Sequence, residues 1–269
     1  MAPLDRDHTQ PDHAEEPAIR RLALADLQAA LDGGWEDFGR LPAANLLVVA
    51  VAAAEALASA RIGAATGLLP MLYPLATGFT LLGPLASVGF YEIARRREQE
   101  GDVGWTGALG VFRRETALPL ALVGALLLAI FAGWMLAARA VLLATLGADA
   151  PTALLPFADA VLTTPEGRLL ALYGNAVGLP FAAAALGAGA FSLPLIVDGE
   201  RSARRALGLS ARAVAANAPV MLAWGVVAGG LMLASILLGA VGVLVSLPVL
   251  AHATWRLYRR ALPAASAAG

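Results

Sequence analysis

From residue 117 to 146 the chain runs for 30 residues with one charge, Arg139. At 1.5 Å per residue this is about 45 Å of helix, more than the roughly 30 Å of a bilayer's hydrocarbon core. Only a helix or a closed barrel satisfies its own backbone across that thickness. A barrel would show alternating strands of about ten residues, and the sequence has none. Charged residues make up 14% of the 269, against about a quarter in soluble domains, and they cluster between apolar runs. The fold class is an all-α membrane protein.

Run length places six transmembrane helices, at 43–60, 68–94, 117–146 and 166–197, with two more sharing 218–258. Gly239 and Gly242 are the turn residues of the last pair, with Gly229-Gly230 as the alternative. Residues 1–20 carry Pro, Asp, His and Glu without an apolar segment. They read as a disordered cytoplasmic tail rather than a signal peptide. Residues 21–262 form the membrane domain and 263–269 a second disordered tail. Pro180 is a candidate kink in the fourth span. Before that span, Thr164-Pro165-Glu166 has the order of a helix start: cap, proline at the first position, acid in the first turn.

All 19 basic residues are arginines. With the N-terminus inside, sixteen fall on inner segments; only Arg61, Arg139 and Arg168 fall outside. That bias predicts both termini in the cytoplasm and, for a bacterial chain, residence in the inner membrane. A net charge of −1 with scattered arginines excludes nucleic acid as a partner. The absence of cysteine excludes disulfides and thiolate metal sites.

Three segments return to the inner side: GPLASVGFYEIARRR at 83–97, SLPLIVDGERSARR at 192–205 and SLPVLAHATWRLYRR at 246–260. From Pro84, Pro194 and Pro248, arginine pairs follow at nearly fixed distance: Arg95-Arg96, Arg204-Arg205 and Arg259-Arg260. Outgoing spans open near Pro42, Pro119 and Pro219, each after a short amphipathic stretch. The unit is an interfacial helix, an outward span and an inward span, giving three helical hairpins each preceded by a short cytoplasmic interfacial helix. The paired arginines sit where anionic lipid headgroups would meet them.

Few polar groups lie at membrane depth, and each is a candidate site. Glu55 sits beyond the midplane and Arg139 near the outer surface, where the two could pair. Glu92 precedes Arg95 and Arg96 by three and four residues, the spacing of an intrahelical ion pair. Asn175 lies in a small-xxx-small pair, Gly174 and Gly178, the signature of close helix packing; Gly225 and Gly229 repeat the spacing. His252 reads as a hydrogen-bonded residue of the bundle, with a haem or proton-carrying role as the alternative. No nucleophile–base pair, phosphate loop or metal-ligand cluster is present, so no enzyme activity, cofactor or metal is expected.

Together, LADLQAALDGGWEDF, LLGPLASVGFYEIARR, TPEGRLLALYGNAVG and LPVLAHATWRLYRR resemble the Domain of Unknown Function 2189 family over about residues 22 to 260. The resemblance implies a six-span inner-membrane protein. Some members are labelled putative cytochrome c oxidase subunit, but one intramembrane histidine cannot build the haem and copper sites of an oxidase core; an accessory role alone stays open. The leading expectation is a non-catalytic scaffold, assembly or lipid-interacting factor, with a membrane-protein partner or a homo-oligomer as possible company. The alternative is a small-solute transporter or channel, requiring a water path lined by Glu55, Asn175 or His252.

Overall fold

The structure is a computed structural model and describes residues 18–40, 71–101, 110–111, 114–237 and 242–263. Every regular element among them is helical. In chain order these are α1 (Leu24–Arg40), α2 (Leu72–Ala86), α3 (Val88–Glu100), α4 (Arg114–Thr145) and α5 (Leu154–Thr163). There follow α6 (Pro165–Gly189), α7 (Ser192–Val197), α8 (Ala203–Ala216), α9 (Ala218–Leu237) and α10 (Val243–Ala261).

Three helical stretches among the described residues are long and apolar enough to cross a membrane: Glu115–Thr145, Pro165–Val197 and Ala218–Ser235. They coincide with the third, fourth and fifth expected spans. The first expected span, with Glu55, lies outside the described residues, as do Gly239 and the start of the second.

The second span departs from expectation, since it is two helices meeting at Ser87 rather than one rod. Pro84 offers no amide to the carbonyl four residues back. Ser87 then closes the turn, sending both its amide (3.0 Å) and its hydroxyl (2.8 Å) to the Gly83 carbonyl. The fourth span breaks likewise before Pro194, between α6 and α7. There the Phe191 amide leaves the helix ladder for the Ser210 hydroxyl of α8 at 3.1 Å. Pro180, by contrast, is accommodated inside a continuous α6. Gly229-Gly230 lies within α9 and makes no turn, whereas Gly242 immediately precedes α10.

The start of α6 follows the sequence signal closely. Thr164 Oγ1 accepts from the Gly167 amide at 3.0 Å, with Pro165 first in the helix and Glu166 beside the positive end of its dipole. Just before it, α5 exposes Leu155 and Leu162, seven residues apart and so on one face. On α4, Leu118, Leu122, Leu128 and Leu136 are also exposed, an apolar outer surface that a membrane helix turns to lipid. Its inner surface packs on α6: a Cβ on Gly178 would lie 3.1 Å from the Trp134 ring, so glycine is what lets these helices approach. Trp134 Nε1 donates to the Pro74 carbonyl at 2.8 Å, tying in α2.

Three small residues at matching positions of the expected units make comparable contacts. Gly33, Gly110 and Ser210 stand nine residues before Pro42, Pro119 and Pro219. Gly33 lies under the Arg256 guanidinium, and Gly110 under Arg96 and Glu92. Arg256 and Glu92 are both eight residues past their reference prolines, Pro248 and Pro84. Ser210 seats on α6, donating to the Gly187 carbonyl at 2.7 Å. Each small residue thus docks on one of the three segments that share the proline–arginine pattern or on the helix leading into it, and α1, first in sequence, docks on α10, the last.

Candidate functional site

The ends of α3 and α10 and the turn after α7 converge on one layer of arginines, carboxylates and aromatics. In α3 the Glu92 carboxylate is 2% exposed. Arg95 grips it with Nε on Oε2 and Nη2 on Oε1, both at 2.9 Å, and Arg96 Nε adds a 2.7 Å bond. The three- and four-residue spacing makes this geometry available on one helix face. Arg95 is held above its ordinary pKa, chiefly by the Glu92 hydrogen bond against the opposing effect of burial. The expected ion pair is present. It is a buried pair, with Phe90, Tyr91, Ile93 and Arg95 of α3 buried around it.

From α10, Arg259 forks onto Asp198, Nη1 to Oδ2 at 2.7 Å and Nη2 to Oδ1 at 2.9 Å. The same guanidinium sends Nε to Glu98 of α3 at 2.9 Å. Burial opposes the charge on Arg259, but Asp198 and Glu98 outweigh it and raise its pKa. Tyr258 donates to Asp198 at 2.6 Å and Trp255 Nε1 to Glu98 at 2.8 Å. The Arg259 carbon lies 4.9 Å from the Trp255 ring centroid, a cation–π contact. Asp198 reaches this position because Gly199 turns the chain at φ +123°, a conformation glycine adopts without strain.

Two more carboxylates bind α1 to the layer. Asp37 accepts from Arg256 Nε (2.9 Å) and Nη2 (2.8 Å), with Arg97 at 3.6 Å. Asp26 accepts from Arg260 at 3.1 Å and from its own helix start, the Ala23 amide, at 2.9 Å. That amide, then Arg20 and Arg260, hold the Asp26 carboxyl below its ordinary range against a smaller desolvation effect. The residues before α1 are stitched in through Asn217, which accepts from the Leu22 amide at 2.6 Å and donates to the Arg20 carbonyl at 3.1 Å.

The arginines expected at lipid headgroups therefore divide. Arg95, Arg96, Arg205, Arg259 and Arg260 each have a carboxylate of this chain within 4 Å. Arg204 is exposed and has no partner among the described residues. Asp26, Asp37 and Glu98 were not singled out by sequence reasoning. Their bonds to α10 lie far along the chain, 161 residues away for Glu98 and Arg259, and the local Asp37–Arg40 spacing gives no sign of them.

His252 does not join this network. It is 2% exposed, packs edge-on against Phe90 with ring centroids 5.5 Å apart, and neither nitrogen has a hydrogen-bond partner among the described residues. The expected hydrogen bond is therefore not made there, although the charges of Asp37, Arg97 and Arg256 lie near enough to act on the ring. Asn175 turns its amide back to the Ala171 carbonyl at 2.7 Å, beside a pocket of about 400 Å³ that Gly174 also lines. Arg139 is exposed on α4; its expected partner Glu55 is outside the described residues. Among the described residues no group of three or more His, Asp or Glu could hold a metal ion.

Apolar helices of membrane length, joined at one end by an ion-pair layer, define an all-helical integral membrane protein. Residues 72–198 match the family described as a predicted integral membrane protein, DUF2189. The match runs from α2 to Asp198, so it takes in the Glu92 cluster and leaves α1 and α10 outside. No curated protein and no solved structure matches the chain.

Proposed function

We propose that this protein is a non-catalytic structural protein of the bacterial inner membrane. Its arginine end faces the cytoplasm with both termini, and its work is to organise lipid or a membrane partner. The observation that carries the proposal is the use made of the arginines. Five of the six candidates are bound to the chain's own carboxylates. Such a layer is a rigid platform, with charge left over at Arg204 for headgroups. The outward leucines of α4 and α5 supply the hydrocarbon contact.

Transport has less support. His252 is buried with neither nitrogen hydrogen-bonded among the described residues, and Asn175 donates to its own helix beside an apolar pocket. Neither offers a solute a polar path.

Purified protein, analysed by mass spectrometry, is expected to retain phospholipid through detergent exchange. In proteoliposomes it should leave solute and proton permeability unchanged; a saturable flux would replace this reading with the transporter. Reporter fusions after Arg97 and after Arg205 should both report cytoplasm, and a periplasmic signal at either would reverse the orientation.

A further inference from the structure

Helix α8 carries Arg204, Arg205 and Arg212 and no acid. Its buried side, Ala206, Leu209, Ser210 and Ala213, faces the bundle. Arg204, Arg205, Gly208 and Arg212 are exposed at helical spacing and form one stripe on the opposite side. Glu200, ahead of the helix, lies 3.4 Å from Arg205 in a partly exposed pair, a weak form of ion pair. Arg204 has no partner among the described residues. The helix therefore presents an outer face of positive charge.

The chain ahead of α1 is anchored at one end of that face. Asn217, directly after α8, accepts from the Leu22 amide and donates to the Arg20 carbonyl, and Arg21 bonds the Ala216 carbonyl. On the other side the Arg20 amide donates to the Ala261 carbonyl at 2.9 Å, at the end of α10. Residue 20 thus sits between the ends of α8 and α10. The arginines of α10 are already taken, Arg256 by Asp37, Arg259 by Asp198 and Arg260 by Asp26. Of the two neighbours, α8 is the one with charge to offer.

Residues 1–17 hold Asp5, Asp7, Asp12, Glu15 and Glu16 against one arginine, Arg6. Glu16 is four residues before Arg20, at most about 14 Å of extended chain. Arg212 stands five residues before Asn217, about 8 Å along α8. Asp12 reaches at most about 28 Å from the same anchor, and Arg204 lies about 20 Å along the helix. Acids and arginines thus recur in matching order and within reach. A short tether also holds the tail at an effective concentration of about millimolar, an advantage that a free acidic partner lacks.

We propose that residues 5–16 dock on the arginine face of α8 as an intramolecular acidic cover. The seat follows from contacts within the chain. Its consequence rests on the functional reading above: the tail competes with anionic headgroups for Arg204.

The chain has no cysteine, so one introduced pair reports the contact. Gln10→Cys places a thiol among the acids. Gly208→Cys places the other in the middle of the arginine stripe, where a Cβ meets nothing within 4 Å. Gln28→Cys, exposed on α1, is the reference for undirected collision from the same anchor. In phosphatidylcholine nanodiscs holding one copy, the 10–208 disulfide is expected to form at least fivefold faster than the 10–28 disulfide. Changing Asp12, Glu15 and Glu16 to amides should abolish that advantage without altering any described residue, and high salt should do the same. Equal rates with the native tail, or a preference indifferent to the amides and to salt, would overturn the seat. Disulfides formed at the intramolecular rate between chains carrying one thiol each, mixed in detergent, would overturn it in favour of a second copy. Replacing phosphatidylcholine by phosphatidylglycerol should slow the 10–208 reaction. An unchanged rate would keep the seat and overturn the headgroup part of the functional reading.

Discussion

Arg259 closes both guanidinium nitrogens on Asp198, at 2.7 and 2.9 Å, across 61 residues of sequence. The pair joins the last helix to the turn after α7, and through Nε it reaches Glu98 on α3. Three separate parts of the chain are thus tied at one side chain. Bidentate guanidinium–carboxylate pairs are the strong form of this contact. Both side chains here are partly screened, 25% and 19% exposed.

Breaking this pair should cost more than an exposed ion pair and less than a fully buried one. Removing one partner of a buried pair costs about 3–5 kcal/mol, whereas exposed pairs contribute under about 1. Arg259→Met is therefore expected to lose about 1–3 kcal/mol, read as a lower melting temperature in detergent. Asp198→Asn should lose a similar amount, and the double variant less than the sum, because the two report one contact. Additive losses would show that the pair is not coupled.

The seam between α1 and α10 depends on glycine. A Cβ at Gly34 would lie 2.6 Å from the Val249 carbonyl oxygen, and backbone cannot step aside. At Gly33 the obstacle is the Arg256 guanidinium, the far end of a flexible side chain. Gly34→Ala should accordingly undock α1, with faster hydrogen exchange over residues 24–40 and a loss of about 1–3 kcal/mol. Gly33→Ala should cost less, through the Arg256–Asp37 bond alone. The reverse order would place the helices differently from this seam.

How far the sequence was legible follows from the range of each interaction. Local features could be read: the Thr164 cap, the Glu92 pair at helix spacing and the apolar length of α4 all act within a few residues. The repeat was legible as prolines and arginine pairs. The seating of small residues, nine before Pro42, Pro119 and Pro219, on distant helices needed the partner helix. The breaks at Ser87 and before Pro194 were missed because the apolar pattern runs unbroken across them. Gly225 and Gly229 read as a packing motif, yet a Cβ would meet Leu186 of α6 at the first and nothing within 4 Å at the second; spacing alone cannot tell contact from cavity.

Acid should loosen the Asp26 contacts of α1 only at low pH. The Ala23 amide, with Arg20 and Arg260, holds the folded pKa of Asp26 below the ordinary carboxylate value. A depressed carboxylate stabilises above its unfolded pKa, and that stability is lost as pH falls through the folded value. The melting temperature is therefore expected to show no Asp26 contribution to pH dependence between pH 7 and 5, with its loss confined to below about pH 4. Asp26→Asn should be less stable at pH 7 and lose less between pH 4 and 2. Equal acid slopes in the two proteins would remove Asp26 from the account.

His252 yields the sharpest division between structural and functional roles. A buried polar group without a hydrogen bond costs about 1–3 kcal/mol, and an apolar side chain of similar shape removes that cost. With both imidazole nitrogens unpartnered and Phe90 beside the ring, His252→Leu should leave the protein as stable or raise its stability by about 1 kcal/mol. His252→Ala should lose stability, because it leaves a cavity beside Phe90. The pair of melting curves separates the possibilities. A stability gain with Leu fits a core position that tolerates histidine. A loss with Leu, at unchanged expression, would reveal a partner for the imidazole and return His252 to the candidate sites.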